Sequence, residues 1–310
     1  MKGSDAITVV EVGPRDGLQY EKDFFETNKK IELINLLSMT GLTRIEVTSF
    51  VHPKVIPQFR DVMDVMGGIK RREGIIYSAL VPNIKGCQRA LTTAVDELAM
   101  FVSASETHNR KNVNMSVEES LTSLKEVATM ALSAGKRLRG YVVTAFGCPY
   151  EGRIPLAQVL KIIGVYAEMG VTEVSLGDTT GMANPTQVAE VFRAVMESTS
   201  VGVAAHFHNS RGTGMANALA AYQAGVRVFD SSVGGIGGCP TAIGAMGNIA
   251  TEDFVNMMEE MGVSTGVEFS SLIKAASLAQ EVVGTELPSY TLKVGPTNWG
   301  NPAGEPGQER

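Results

Sequence analysis

The run VGVAAHFH (residues 201–208) is short and apolar, and it ends in two histidines. Short runs rich in β-branched and aromatic residues, bounded by turn residues, predict buried β-strands. Runs of this kind recur along the whole chain, eight in all, at residues 7–13, 44–50, 75–81, 97–103, 139–147, 172–178, 201–208 and 227–235.

Segments with helical spacing separate these runs. The segment 116–132 opens with a capping box formed by Ser116 and Glu119. Another, 184–196, has Asn184 in the capping position and Pro185 in the first turn. Alternation of strand and helix repeated eight times predicts a (β/α)₈ TIM barrel and disfavours an open doubly wound sheet.

The remaining sequence fits one barrel domain. A glycine-rich loop (234–247) follows the eighth run, and additional C-terminal helices are predicted at roughly 251–262 and 269–283. With no dividing linker, we predict a single domain over residues 1–296. Residues 297–310 are rich in glycine, proline and charge, which is typical of a disordered tail.

Bulk composition excludes several classes of protein. The net charge of −6 and the pI of about 5.4 argue against a nucleic-acid-binding protein. No apolar run is long enough to span a membrane, and the N-terminus leaves no room for a targeting peptide. Three scattered cysteines without a CxxC motif predict a reduced, cytoplasmic protein. A homo-oligomer, dimeric or larger, is compatible with the sequence.

Polar residues collect where the predicted strands end. In TIM barrels, catalytic residues lie at the C-terminal ends of the strands. The opposite end has no comparable polar set in this interpretation. The candidates at the C-terminal ends are Arg15, Asp16, Glu46, Ser49, Asp178, His206, His208, Cys239 and Asn248.

The two histidines are candidate metal ligands. Residues i and i+2 of a strand point to the same face, so His206 and His208 lie side by side. Asp16, from another strand of the ring, can add a carboxylate. The alternative is that each histidine is a hydrogen-bonded polar residue near a strand end.

Simpler interpretations also exist for the other candidates. Asp16 precedes Gly17 and could form a turn, Asp178 could cap a turn, and Cys239 could be an ordinary loop residue. Glu46 lies inside a β-branched run, where a carboxylate needs a partner. Arg15 is the expected partner.

Seven stretches of the chain resemble the hydroxymethylglutaryl-CoA lyase family, which belongs to the metal-dependent barrel lyases and Claisen-type synthases. These stretches extend through the whole barrel and are individually specific. They are VGPRDGLQYEK (12–22), IEVTSFVHPKVIPQ (45–58), VSASETHNRKNVNMSVEES (102–120), GCPYEG (147–152), SLGDTTG (175–181), HFHNSRG (206–212) and DSSVGGIGGCPTAIGAMGNIATED (230–253).

The resemblance implies one divalent cation, Mg²⁺ or Mn²⁺, and an acyl-CoA substrate. It implies cleavage of 3-hydroxy-3-methylglutaryl-CoA to acetyl-CoA and acetoacetate, a step of leucine catabolism. By motif, Arg15 would stabilise the enolate, Cys239 would deliver a proton, and Glu46 and Asp178 would be acidic site residues. The metal ligands implied by the motifs are Asp16, His206, His208 and Asn248, and substrate contacts are implied for Ser49, Lys111 and Asn112.

One motif departs from the animal-type family pattern. That pattern reads HCHDTYGQ, and this chain has HFHNSRGT at 206–213, which places Arg211 where the family has tyrosine. A cation there could bind a substrate carboxylate. The same chemistry on another 3-hydroxy-3-alkyl acyl-CoA, such as citramalyl-CoA, is therefore an alternative, and a non-catalytic acyl-CoA-binding barrel is a remote one.

Overall fold

The computed structural model describes residues 5–21, 23–238 and 247–297. Its strands form a closed barrel in which all neighbours are parallel and the last strand pairs with the first. This confirms the predicted (β/α)₈ TIM barrel. The strands are β1 (Thr8–Glu11), β2 (Arg44–Ser49), β3 (Ile76–Leu80), β4 (Glu97–Ser103), β5 (Arg137–Val143), β6 (Glu173–Asp178), β7 (Gly202–Phe207) and β8 (Val228–Ser231).

Helices surround the barrel, and their ends follow the predicted caps. Asn184 accepts a hydrogen bond from the backbone N–H of Gln187, and Ser116 and Glu119 form the capping box. No helix of the described residues is long and apolar enough to cross a membrane. The helices are α1 (Thr27–Leu37), α2 (Val62–Gly68), α3 (Ile84–Leu91), α4 (Glu106–Val113), α5 (Val117–Ser133), α6 (Leu156–Glu168), α7 (Pro185–Ser198), α8 (Gly214–Ala224), α9 (Thr251–Glu260), α10 (Phe269–Val283) and α11 (Tyr290–Val294).

The C-terminal helices α9 and α10 were predicted, whereas α11 was not. Helix α10 packs against α1 and so returns to the start of the barrel. Beyond residue 297, the predicted disordered tail lies outside the described residues. The single domain over residues 1–296 stays a prediction.

Three predicted strands end two or more residues earlier than their apolar runs. β1 stops at Glu11 because Gly13–Gly17 forms a π-helical turn. β5 stops at Val143 because Thr144 has a φ of 55°, in the left-handed region. β8 stops at Ser231, ahead of a turn through Gly234 and Gly235, whose φ values are 66° and 71°.

Buried charges fill the N-terminal end of the barrel interior, so the expectation that this end has no comparable polar set is wrong. Arg44 pairs with Glu97 at 3.1 Å and with Glu173 at 2.9 Å. Arg139 pairs with the same Glu173 at 2.8 Å and with Asp230 at 2.7 Å. The five charges lie on five different strands, so only the closed barrel brings them together.

Two buried carboxylates support the turn that follows β8. Glu11 accepts hydrogen bonds from the backbone N–H groups of Gly13 and Val233 and from the hydroxyl of Thr251. Glu252, at the start of α9, accepts from the N–H of Gly234. Burial raises the pKa of both Glu11 and Glu252 to about 7. These contacts fix the base of the loop that leads to residue 239.

We expect Arg44→Met to lower the free energy of unfolding by about 3–5 kcal/mol, because the buried carboxylate of Glu97 would keep only its longer contact with Arg137, at 3.6 Å. Denaturant unfolding measures this change. The control is Arg71→Met, because Arg71 and Asp96 form a partly exposed pair at 2.8 Å whose loss should cost about 0–1 kcal/mol. Equal losses in the two variants would contradict a stabilising role for the interior network.

Candidate metal centre and active site

The turn after β1 places Arg15 and Asp16 at the C-terminal mouth of the barrel. The N–H groups of both residues donate to the carbonyl of Val12, which holds the turn close to the strand end. A Cβ atom at Gly17 would lie 2.5 Å from a side-chain carbon of Ile236. Glycine is therefore needed where this turn packs against the chain that follows β8.

Asp16 meets both histidines at the end of β7. Asp16 Oδ2 lies 3.8 Å from Nε2 of His206 and 3.8 Å from Nε2 of His208. All three side chains are buried, and their ligand atoms lie within 4.8 Å of one another. The structure thus brings together the three side chains that strand periodicity singled out.

The electrostatics of this cluster suit a cation. Both ring nitrogens of His208 are buried, and neither has a hydrogen-bond partner among the residues that the structure describes. Burial also lowers the pKa of His208 to about 4, so a ring lone pair is available at neutral pH. Burial opposes ionisation of Asp16, but Arg15, the two histidines and the hydrogen bond from Asn248 together outweigh it and lower the pKa of this carboxyl. A carboxylate and neutral imidazoles form a donor set that fits a divalent metal ion.

Asn248 joins the cluster from the segment after β8. This segment runs beside the end of β7 and forms a β-bridge between Asn248 and His208. The Nδ2 group of Asn248 donates to Asp16 Oδ2 at 2.9 Å and to the carbonyl of Ile236 at 3.3 Å. A metal ligand must present the amide oxygen, so the amide group would need to turn over to bind a cation.

Arg15 is held between two carboxylates. Its Nη1 donates to Asp16 at 2.7 Å and its Nη2 contacts Glu46 at 2.8 Å, so the predicted Arg15–Glu46 ion pair is present. Burial disfavours the charge of Arg15, but these carboxylates raise its pKa and keep it ionised. Burial raises the pKa of Glu46, and Arg15 opposes that rise. The guanidinium is thus fixed next to the candidate metal ligands.

Three residues that support these groups, Tyr141, Arg139 and Asp230, were not predicted from the sequence. The hydroxyl of Tyr141 donates to Glu46 at 2.9 Å and accepts from Arg139 at 2.8 Å. Asp230 lies 3.3 Å from Nδ1 of His206. A carboxylate inside the apolar eighth run, like Glu46 in the second, was the signal that could have revealed Asp230.

Asp178 and Ser49 are buried at the same end of the barrel but make local contacts. The Asp178 carboxylate accepts from the N–H groups of Met182 and Ala183, at 2.8 and 3.1 Å. This is the turn-capping arrangement considered as its alternative role. Burial raises the pKa of Asp178 to about 6. Ser49 accepts from the N–H of Val51 at 3.2 Å.

The other candidates are further from the cluster or outside the described residues. Asn112 and Lys111 are exposed on α4, where Lys111 lies over the ring of Tyr150 at 4.4 Å. Arg211 is exposed, and its Nη1 donates to the carbonyls of Thr180 and Gly181 at 2.7 and 3.0 Å. Cys239 lies outside the described residues.

Comparison with known proteins agrees with this geometry. Residues 6–279 match the HMGL-like family model. A hydroxymethylglutaryl-CoA lyase of Bacillus subtilis is 50% identical over 93% of this chain and 97% of its own length. The mitochondrial hydroxymethylglutaryl-CoA lyase of Gallus gallus is 47% identical over 86% of this chain and 90% of its own.

A solved structure extends the comparison to the fold. An HMG-CoA lyase from Acinetobacter baumannii, in complex with coenzyme A and 3-methylmalate, superposes with a TM-score of 0.93 at 44% identity. The match covers 98% of this chain and all of that one. The chain therefore belongs to the hydroxymethylglutaryl-CoA lyase family.

Proposed function

We propose that the chain is a carbon–carbon lyase that cleaves 3-hydroxy-3-methylglutaryl-CoA to acetyl-CoA and acetoacetate. The observation that carries this proposal is the buried Asp16–His206–His208 cluster with the Arg15 guanidinium held beside it. In the reaction, the tertiary hydroxyl loses its proton and the bond between C2 and C3 breaks. The electron pair moves onto the thioester as an enolate, which takes a proton at its α-carbon.

Arg15 has the chemistry that this reaction needs. The enolate is the most unstable species on the path, and a fixed cation in a buried site stabilises developing negative charge strongly. Because Asp16 and Glu46 already hold two of its nitrogens, Arg15 needs little reorganisation when the charge forms. We assign Glu46 the role of orienting Arg15, and Asp178 a role in shaping the pocket wall.

A divalent cation, Mg²⁺ or Mn²⁺, would be held by Asp16, His206 and His208, with Asn248 as a fourth ligand. The mixed nitrogen and oxygen donors and the absence of thiolate among these four residues favour such an ion. When bound, it supplies Lewis-acid polarisation of the substrate's oxygens.

Substrate contacts come from the rim of the barrel in this proposal. Ser49 lies near the acyl group, and Lys111 and Asn112 on α4 face the coenzyme A portion. Cys239 follows the turn that Glu11 and Glu252 support, and we propose that it delivers or relays the proton to the enolate. We also propose a cytoplasmic location, because Cys87 and Cys148 are free thiols.

The same chemistry on citramalyl-CoA is the second candidate function. Arg211 favours it, because a guanidinium can bind a carboxylate bidentately and a tyrosine cannot, and citramalyl-CoA carries its single carboxylate one carbon closer to the hydroxyl than 3-hydroxy-3-methylglutaryl-CoA does. In the chain itself, Arg211 already joins the loop after β7 to the loop after β6 through the carbonyls of Thr180 and Gly181. Its role in substrate choice therefore has to be separated from a role in bracing this loop.

Removal of the metal tests the proposed function. Chelator-treated protein should lose acetyl-CoA release from 3-hydroxy-3-methylglutaryl-CoA and regain it with Mg²⁺ or Mn²⁺, because the metal is the group that would supply Lewis-acid polarisation of the substrate's oxygens. The coupled assay should include citramalyl-CoA as the competing thioester. Full activity of metal-free protein, or turnover of neither thioester, would overturn the proposal.

Cys239→Ser should reduce kcat by about 100-fold or more, because a positioned proton donor contributes about 10²–10⁴-fold to a rate. Steady-state turnover measures this, and Mn²⁺ binding and thermal unfolding check that the site is intact. The control is Cys87→Ala, which removes a buried thiol in α3 and should retain near-wild-type turnover. Comparable rates in both variants would remove Cys239 from the mechanism.

Arg211→Tyr should change the preference between the two thioesters by about one to two decades in kcat/KM, corresponding to roughly 1.5–3 kcal/mol for a lost charge-assisted pair. Mn²⁺ affinity should change little. Arg211→Lys is the matched control, because it keeps the charge and one donor while losing the planar fork. An unchanged ranking in the tyrosine variant would restrict Arg211 to bracing the loop.

A further inference from the structure

Strand register places Asp230 directly beside His206. The two residues are paired neighbours on β8 and β7, and both side chains point into the barrel. Asp230 is 1% exposed, and its Oδ2 lies 3.3 Å from Nδ1 of His206. The contact is therefore built into the sheet and does not depend on a loop conformation.

Both oxygens of Asp230 are held by other groups. Arg139 donates through Nη2 to Oδ1 at 2.7 Å, and the hydroxyl of Ser175 donates to Oδ2 at 2.8 Å. Arg139 and Asp230 form an ion pair, and both carboxylate oxygens act as hydrogen-bond acceptors. Because Oδ2 is an acceptor, the ring nitrogen that faces it, Nδ1 of His206, is the one that carries the proton.

This arrangement selects one tautomer of His206. With the proton on Nδ1, the lone pair lies on Nε2, the nitrogen that faces Asp16 at 3.8 Å. Within residues 5–21, 23–238 and 247–297, His208 has no such support, because neither of its ring nitrogens has a hydrogen-bond partner there. The two imidazoles of the cluster are therefore not equivalent.

We propose that Asp230 is a positioning residue that fixes the tautomer and ring orientation of His206 for cation binding. The inference rests on the proposed function only through the assignment of His206 as a ligand. Carboxylates that orient metal-bound histidines commonly account for a 10–100-fold difference in affinity. The contacts from Arg139 to Asp230 and from Asp230 to His206 thus link the interior ion network to the proposed cation site.

The tautomer can be observed in metal-free wild-type protein. The chain has four histidines, so their ¹⁵N signals can be resolved by long-range ¹H–¹⁵N NMR at pH about 8.5, roughly two units above the ordinary pKa of a free imidazole. The His206 signal is assigned by its loss in His206→Gln. The expected result is a proton on Nδ1 of His206, and a proton on Nε2 would overturn the proposal.

Asp230→Asn should reverse this tautomer. Arg139 needs an acceptor at the Oδ1 position, so the amide oxygen of the variant is placed there and its NH₂ group faces His206. That group donates to Nδ1 and forces the ring proton onto Nε2. Mn²⁺ affinity, measured by electron paramagnetic resonance titration, should fall about 10–100-fold.

Asp61→Asn is the matched control. Asp61 is also a buried aspartate in an ion pair, with Lys30 at 2.8 Å, but it lies between α1 and α2 outside the barrel interior. It should lower thermal stability while leaving the His206 tautomer and Mn²⁺ affinity unchanged. Any loss of affinity caused by general destabilisation would therefore appear in both variants.

The outcomes separate this inference from the proposed function. Wild-type Mn²⁺ binding with equal binding by Asp230→Asn would overturn the positioning role and leave the lyase proposal standing. Absence of Mn²⁺ binding by wild-type protein would overturn both. A reversed tautomer and weakened binding in Asp230→Asn, with neither change in Asp61→Asn, supports the positioning role.

Discussion

The buried guanidinium of Arg139 is the charge on which the barrel interior depends. A charge with 1% exposure is costly unless carboxylates and hydrogen-bond acceptors surround it. Arg139 meets Glu173 and Asp230 as ion-pair partners and donates to the hydroxyl of Tyr141. Two series of side-chain contacts extend from Arg139 toward the C-terminal end of the barrel. One runs through Asp230 to His206. The other runs through Tyr141 and Glu46 to Arg15. The candidate metal ligand His206 and the Arg15 guanidinium therefore share one support.

Parallel strand geometry makes this shared support possible. Residues two apart on a strand point into the same interior, so Arg139 and Tyr141 occupy successive layers of β5. β2 does the same with Arg44 and Glu46. Each of these two strands thus supplies one group to the ion network at its start and one to the site nearer its end. The interior also holds a small apolar cluster of Leu80, Ala99 and Tyr141, and the outer core, between strands and helices, is apolar.

Sequence patterns predicted the parts of the fold that local physics determines. The eight strands, the Asn184 cap and the Ser116–Glu119 capping box all follow from signals within a few residues. The meeting of Asp16, His206 and His208 also followed, because barrel topology brings strand ends together. The ion pairs of Arg44 and Arg139 did not, since their partners lie 34 to 129 residues away and register alone decides which carboxylate each one meets. The hydrogen bonds from Arg211 to backbone carbonyls could not be predicted either, because they depend on the path of the loop after β6.

The carboxyls of Glu11 and Glu252 have a thermodynamic consequence beyond holding the turn after β8. Their pKa values of about 7 lie above the ordinary value of 4.5. At a pH between these two values, the folded chain therefore binds protons that the unfolded chain releases. Folding near pH 6 is therefore coupled to proton uptake, and these two groups make the folded state less stable as pH rises through this window. The released protons pass to the buffer on unfolding. The calorimetric enthalpy of unfolding of this barrel accordingly contains the heat of buffer protonation, and its value depends on the buffer chosen.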